Sequence, residues 1–387
     1  MSARRVTLTH RYRVAIGLSA LALSCSATDD QSRLDANYES EAPADGAAAP
    51  PAISPDSGTG SPLPTGPSAP PDEIATISDA APRPPTAGSG AAEPGVLTAA
   101  AWDDNRNFDF FAGYRRRMGQ LSGVAPFRES DFAEALANFG PAQPPKQTLD
   151  VALVIDTTGS MGDEIAYLQA EFIALSDTIA DKYPNADQRW SLVVYRDLGD
   201  EYVVRSSDFT LDREAFQEVL GLQRAGGGGD TPEAPEAGLA ALAQLAWRVD
   251  ESTARLAFWL ADAPHHEQNA SPMARAVEAV ATAGVHLYPV ASSGVDELTE
   301  LTMRSAAQLT GGRYLFLTDD SGVGGAHKEP TLPCYFVTRL DDAVLRMVDI
   351  ELTGEYREPL TEEVLRTGGD PENGRCRLES GETVLIY

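Results

Sequence analysis

The chain has 387 residues, enough for one sizeable hydrophobic core with further sequence outside it. Hydrophobic residues make up 42% and charged residues 23%, both ordinary for a globular protein. Acidic residues number 58 against 30 basic ones, and the formal net charge of −28 argues against nucleic acid and anionic lipid headgroups as partners, because such a surface repels phosphate.

The N-terminus reads as an export signal over residues 1–25. Arg4, Arg5, Arg11 and Arg13 precede a short apolar run from Val14 to Leu23, roughly half the length a permanent membrane helix needs. Leu21-Ala22-Leu23-Ser24-Cys25 resembles a bacterial lipobox, with Ala22 where the pattern prefers Leu. That resemblance implies a lipid on Cys25 and a membrane-anchored lipoprotein of the bacterial cell envelope, periplasmic or at the outer surface, touching membrane only through its anchor. Cleavage after Ala27, giving a soluble secreted protein, is the alternative.

Residues 26–95 are rich in Pro, Ala, Gly, Ser and Asp and almost lack aromatic residues, so they are expected to form a disordered linker. Residues 96–147 change character, with Trp102, Phe108, Phe110, Phe111 and Tyr114 close together. Phe110, Phe111 and Tyr114 have helical spacing, which predicts a short segment docking on a core.

A domain is expected over 148–320. Leu149 to Ile155 is an apolar, β-rich run of the kind found in strands covered on both faces. A helix over 161–182 follows, then strands over 190–195 and 202–205, helices over 212–222 and 235–249, and a buried strand over 254–261. Ser271-Pro272 opens a helix to about Ala283. A strand over 285–290, a helix over 297–309 and a strand over 314–317 complete the alternation. Strands alternating with helices predict an α/β fold: a doubly wound, mostly parallel, Rossmann-like sheet with helices on both faces. Residues 321–387 form a C-terminal extension, beginning its ordered part with a helix over 338–352. Setting Cys25 aside, Cys334 and Cys376 are an even pair in an oxidising compartment. A disulfide between them would contribute up to about 4 kcal/mol, and two unrelated thiols are the alternative.

In such sheets ligands collect outside the carboxyl ends of the strands. Oxygen donors are placed there by Asp156-Thr157-Thr158-Gly159-Ser160 after the first domain strand, by Gly226 to Thr231 before a helix, and by Asp262 after the strand over 254–261. Asp156, Thr158 and Ser160 alternate, so one tight turn can aim all three oxygens at a point. Carboxylates and hydroxyls suit hard cations, Mg²⁺ or Mn²⁺ with Ca²⁺ as an alternative, over Zn²⁺.

These residues resemble the von Willebrand factor type A domain, whose metal-ion-dependent adhesion site reads D-x-[S/T]-x-S, then a Thr, then an Asp. Asp156, Thr158 and Ser160 match the first element, Thr231 the second and Asp262 the third, and the resemblance spans residues 148–317. It implies a bound Mg²⁺ or Mn²⁺ whose coordination is completed by an Asp or Glu carboxylate of a protein partner, and no enzymatic activity. Other readings are a structural envelope protein with an incidental metal, zinc at His265, His266 and Glu267, and a hydrolase using Ser160 with Asp230 or Asp262 and His265. The hydrolase lacks the Gly that a nucleophile elbow needs two residues before Ser160, since Thr158 stands there. Asp197 and Asp200 read as a solvated loop.

Overall fold

The computed structural model describes residues 86–87, 96–102, 108–118, 127–138, 144–229, 231–321, 326–330 and 332–385. The expected export signal, Cys25 and most of the expected linker lie outside them. The described chain begins with β1 (Thr86–Ala87), β2 (Thr98–Trp102), α1 (Phe108–Arg117) and α2 (Glu129–Asn138). It continues with β3 (Thr148–Asp156), α3 (Gly162–Lys182), β4 (Asp187–Tyr195), β5 (Val204–Thr210), α4 (Arg213–Gly221) and α5 (Pro235–Ala243). Then come β6 (Thr253–Ala261), α6 (Ala270–Thr282), β7 (His286–Ala291), α7 (Glu297–Thr310), β8 (Tyr314–Thr318), β9 (Tyr335–Arg339) and α8 (Leu340–Thr353). Short strands follow: β10 (Arg366–Gly368), β11 (Pro371–Glu372), β12 (Arg375–Arg377) and β13 (Thr383–Leu385).

A ten-stranded sheet runs in the order β1-β10-β9-β2-β8-β7-β6-β3-β4-β5. From β8 to β4 the strands are parallel, and β5 closes that side antiparallel to β4. This is the expected α/β architecture. Alternation along each central strand divides its side chains between two cores. Val151, Leu153 and Ile155 of β3 join Leu256, Phe258 and Leu260 of β6 beneath α3, α4 and α8. Ala152 and Val154 join Ala257, Trp259 and Ala261 on the other face, beneath α5, α6 and α7. The continuous apolar runs in the sequence are strands with no solvent face.

Several elements differ from expectation. Residues 98–102 do more than dock: β2 is inserted between β8 and β9, antiparallel to both. Within the stretch expected to be linker, Thr86–Ala87 pairs with β10. The helix expected to reach Val249 ends at Ala243, because the chain folds back and the Trp247 indole donates to the Leu242 carbonyl at 2.9 Å. β5 is longer than the expected strand and runs to Thr210. Tyr114 is buried against Phe132 and Leu301, whereas the side chains of Phe110 and Phe111 lie outside the described set. Cys334 and Cys376 form a disulfide with Cα atoms 5.8 Å apart, tying the start of β9 to the small β11-β12-β13 sheet. No helix among the described residues is long and apolar enough to cross a membrane.

Candidate metal centre

β3 and β6 lie side by side and parallel, so their last residues deliver Asp156 and the loop carrying Asp262 to one edge of the sheet. After Asp156 the chain turns through Thr157 and Thr158 into a short 3₁₀ turn, Gly159–Met161, and then into α3. Asp156 is fully buried. Its Oδ1 accepts from the Thr158 backbone N–H at 2.9 Å and from the Thr158 hydroxyl at 2.7 Å. Its Oδ2 is buried with no hydrogen-bond partner, as is Oδ1 of Asp262. Ser160 is exposed and stands beside Asp262, where its hydroxyl favours the charged form of that carboxyl. The structure thus gathers Asp156, Thr158, Ser160 and Asp262, and leaves Thr231 exposed on the neighbouring loop.

Burial, together with the charge of Asp262, pushes the Asp156 carboxyl up to about 7, against the downward pull of its hydrogen bonds to Thr158. Asp262 is also raised by burial. Two further acids that sequence reasoning missed stand close by. Glu164, in the first turn of α3, is buried, with one oxygen on the Ser293 hydroxyl at 3.1 Å and the other unpartnered. Glu233 is 2% exposed, with Oε2 unpartnered. Burial first, then the charges of Asp156, Asp197, Asp200 and Asp262, raise it to about 8. A Thr-Pro-Glu leading into a helix reads as an ordinary helix start, so only the fold shows that this acid turns inward.

The glycine run is held by the loop after β4. Asp200 accepts from the Gly228 N–H at 3.1 Å, so it anchors the site's rim instead of standing free in solvent. Gly227 has φ +73°, and a side-chain carbon there would stand 2.6 Å from Asp200 Oδ1, so only glycine fits. The two histidines do not face a common ion: His266 Nε2 bonds to Asp197 Oδ1 at 2.6 Å, while His265 is buried. The neighbour of Ser160 is the Asp262 carboxylate and not an imidazole, unlike that of a hydrolase nucleophile.

The donor set fits a hard divalent cation. Among the described residues, no three His, Cys, Asp or Glu side chains close on one point as a preformed cage. An ion held at this edge would therefore draw on hydroxyls as well, and Thr158 and Ser160 stand beside the two aspartates. The unpartnered buried oxygens of Asp156 and Asp262 are the acceptors such an ion satisfies.

The von Willebrand factor A domain family model matches residues 150–286. An ariadne-like RING finger protein of Acanthamoeba polyphaga mimivirus is 35% identical over 123 residues, 32% of this chain. The alpha-protein kinase vwkA of Dictyostelium discoideum is 29% identical over 122 residues, 31% of this chain. Those matches span only 12% and 19% of the relatives' lengths. Among solved structures, BatB from Bacteroides thetaiotaomicron has 14% identity and a TM-score of 0.33, covering 43% of this chain and 89% of that one. The pilus adhesin SpaC from Lactobacillus rhamnosus GG has 12% identity and a TM-score of 0.33, covering 44% of this chain and 28% of that one. With strand order, the aspartate-led turn after β3 and the family match in agreement, residues 150–286 of this chain are a von Willebrand factor A domain.

Proposed function

We propose that the domain is a non-enzymatic protein-binding module that works through a divalent cation at the end of β3 and β6. The observation that carries this reading is the pair of buried, unpartnered carboxylate oxygens, Asp156 Oδ2 and Asp262 Oδ1, flanked by the hydroxyls of Thr158 and Ser160. Mg²⁺ or Mn²⁺, with Ca²⁺ as the alternative, satisfies both oxygens. The ion supplies a positive centre at the domain surface on which an Asp or Glu of a protein partner can close. The protein's own groups do the rest. Asp156 orients Thr158, Asp262 lies beside Ser160, and the glycine run keeps side chains away from the approach. The net charge of −28 favours cation capture at this edge.

We further propose that the protein is exported and held at the cell envelope by a lipid on Cys25, which the sequence alone supports. Titration of Mg²⁺ and Mn²⁺ into the full chain, beside Asp156→Ala, tests the central claim. Saturable binding by the wild type that is lost in a folded variant is expected. Absence of binding by the wild type would remove the metal, and with it this mode of partner capture.

A further inference from the structure

The His327 side chain, in the segment after β8, is fully buried and has a partner on each ring nitrogen. Nδ1 meets Asp319 Oδ1 at 2.8 Å, and the His327 backbone N–H donates to the same oxygen at 3.0 Å. Nε2 meets the Ser293 hydroxyl at 3.1 Å. That hydroxyl, in the loop between β7 and α7, also reaches Oε1 of Glu164 at 3.1 Å, in the first turn of α3. Side chains from distant parts of the sequence thus form one line: Asp319, His327, Ser293, Glu164.

Three links need three hydrogens. A neutral imidazole supplies one and the serine hydroxyl another, while ionised carboxylates supply none. One link therefore lacks a hydrogen until a proton is taken up from solvent. Placed on the imidazole, that proton lets Nδ1 donate to Asp319 and Nε2 to Ser293, which frees the hydroxyl to donate to Glu164. We propose that His327 is a proton-operated latch. It fastens the segment after β8 and the loop after β7 to α3 when the imidazole is charged, and slackens when it is neutral. Histidine suits such a switch because its charge changes between about pH 5 and 8.

The charges around the latch do not work against it. Burial raises the Glu164 carboxyl against the pull of its Ser293 hydrogen bonds, and the charge of Asp262 adds to the rise. A protonated Glu164 still accepts through Oε1, so acid leaves that link standing. Lys328 pairs with Glu300 of α7 at 3.4 Å and Glu300 with Arg304 at 3.2 Å, so those charges are matched among themselves. The backbone adds a parallel tie, the Gly294 N–H donating to the Ala326 carbonyl at 3.3 Å. Asp319, His327 and Ser293 are also placed like a hydrolytic triad. Here, though, Glu164 competes for the one hydrogen such a serine must give to its imidazole. The latch needs no ion, so it stands or falls apart from the cation edge.

The test is amide hydrogen exchange on the full chain at about pH 5.5 and about pH 8, corrected for the intrinsic pH dependence of exchange, as wild type, Ser293→Ala and His327→Gln. Wild-type peptides covering Gly294 and His327 should lose protection about fivefold or more at the higher pH, the worth of one hydrogen bond. In both variants protection there should be low at either pH. Equal wild-type protection at the two pH values would overturn the latch, as would a pH dependence that survives in Ser293→Ala. Labelling of Ser293 by a fluorophosphonate would overturn it too, since Nε2 would then be taking the serine's hydrogen. Ser293 is half-buried, so Ser293→Ala carries the test should His327→Gln fail to fold.

Discussion

Asp150 and Asp156 sit on the same strand, both fully buried, and differ in every respect that matters for function. Asp150 lies near the start of β3 and is answered by the protein itself. Arg189 donates to it from Nε at 2.9 Å, Arg248 Nε lies 3.1 Å away, and the Arg248 backbone N–H donates at 2.9 Å. Asp156 ends the strand, and no Lys or Arg is paired with it among the described residues, so one oxygen remains unsatisfied. A buried charge matched by its own chain is structural, whereas the open oxygen of Asp156 is what the proposed cation would answer.

The comparison breaks most sharply at its structural end. Asp150→Ala strands two arginine side chains and should cost about 3–5 kcal/mol in urea or thermal unfolding, while ion affinity in the folded fraction stays unchanged. An equal loss of ion affinity would mean that the two ends of β3 are not independent. At the open end, Mg²⁺ or Mn²⁺ at about 100 times its dissociation constant should stabilise the wild type by about 2.7 kcal/mol, seen as a rise in Tm. In Asp156→Ala that increment should vanish.

A third buried acid sharpens the contrast with a smaller effect. Glu351 meets His286 Nδ1 at 2.7 Å and the Tyr288 hydroxyl. Burial pushes its carboxyl up, but the charge of His286 and the hydrogen bonds outweigh this and hold it below the usual 4.5. Between the folded value and 4.5 the unfolded chain binds more protons, so stability rises with pH there. This contribution is complete above 4.5 and is lost as pH falls through the folded value. Glu351→Gln should therefore cost about 1–2 kcal/mol at neutral pH and nearly nothing in strong acid, by unfolding at a series of pH values.

Periodicity made the parallel core legible, because Leu149 to Ile155 and Ala254 to Ala261 are apolar on both faces and have no reading as exposed strands. The clustering of Asp156, Thr158 and Ser160 was legible too, since they fall on consecutive alternate positions after such a run. β2 was not. Thr98 to Trp102 reads TAAAW, with little intrinsic β preference, and is a strand only because β8 and β9 offer it partners on both sides. Glu233 was hidden for a related reason. Whether an acid turns inward depends on a distant loop, here Pro264 and His265, which its own neighbours in sequence do not reveal.

The direction of β2 sets which edge of the sheet it starts from. Thr98 lies opposite Thr318, the last residue of β8, so the chain enters the sheet at the same edge that holds Asp156. Entry and candidate site are separated by the places of β8, β7 and β6, roughly 19 Å across the sheet at ordinary strand spacing. Before β2, Thr86 and Ala87 are paired with β10 at the far side of the sheet, so a load arriving from earlier in the chain falls on the β1–β10 pairing before it reaches β2 or the candidate site.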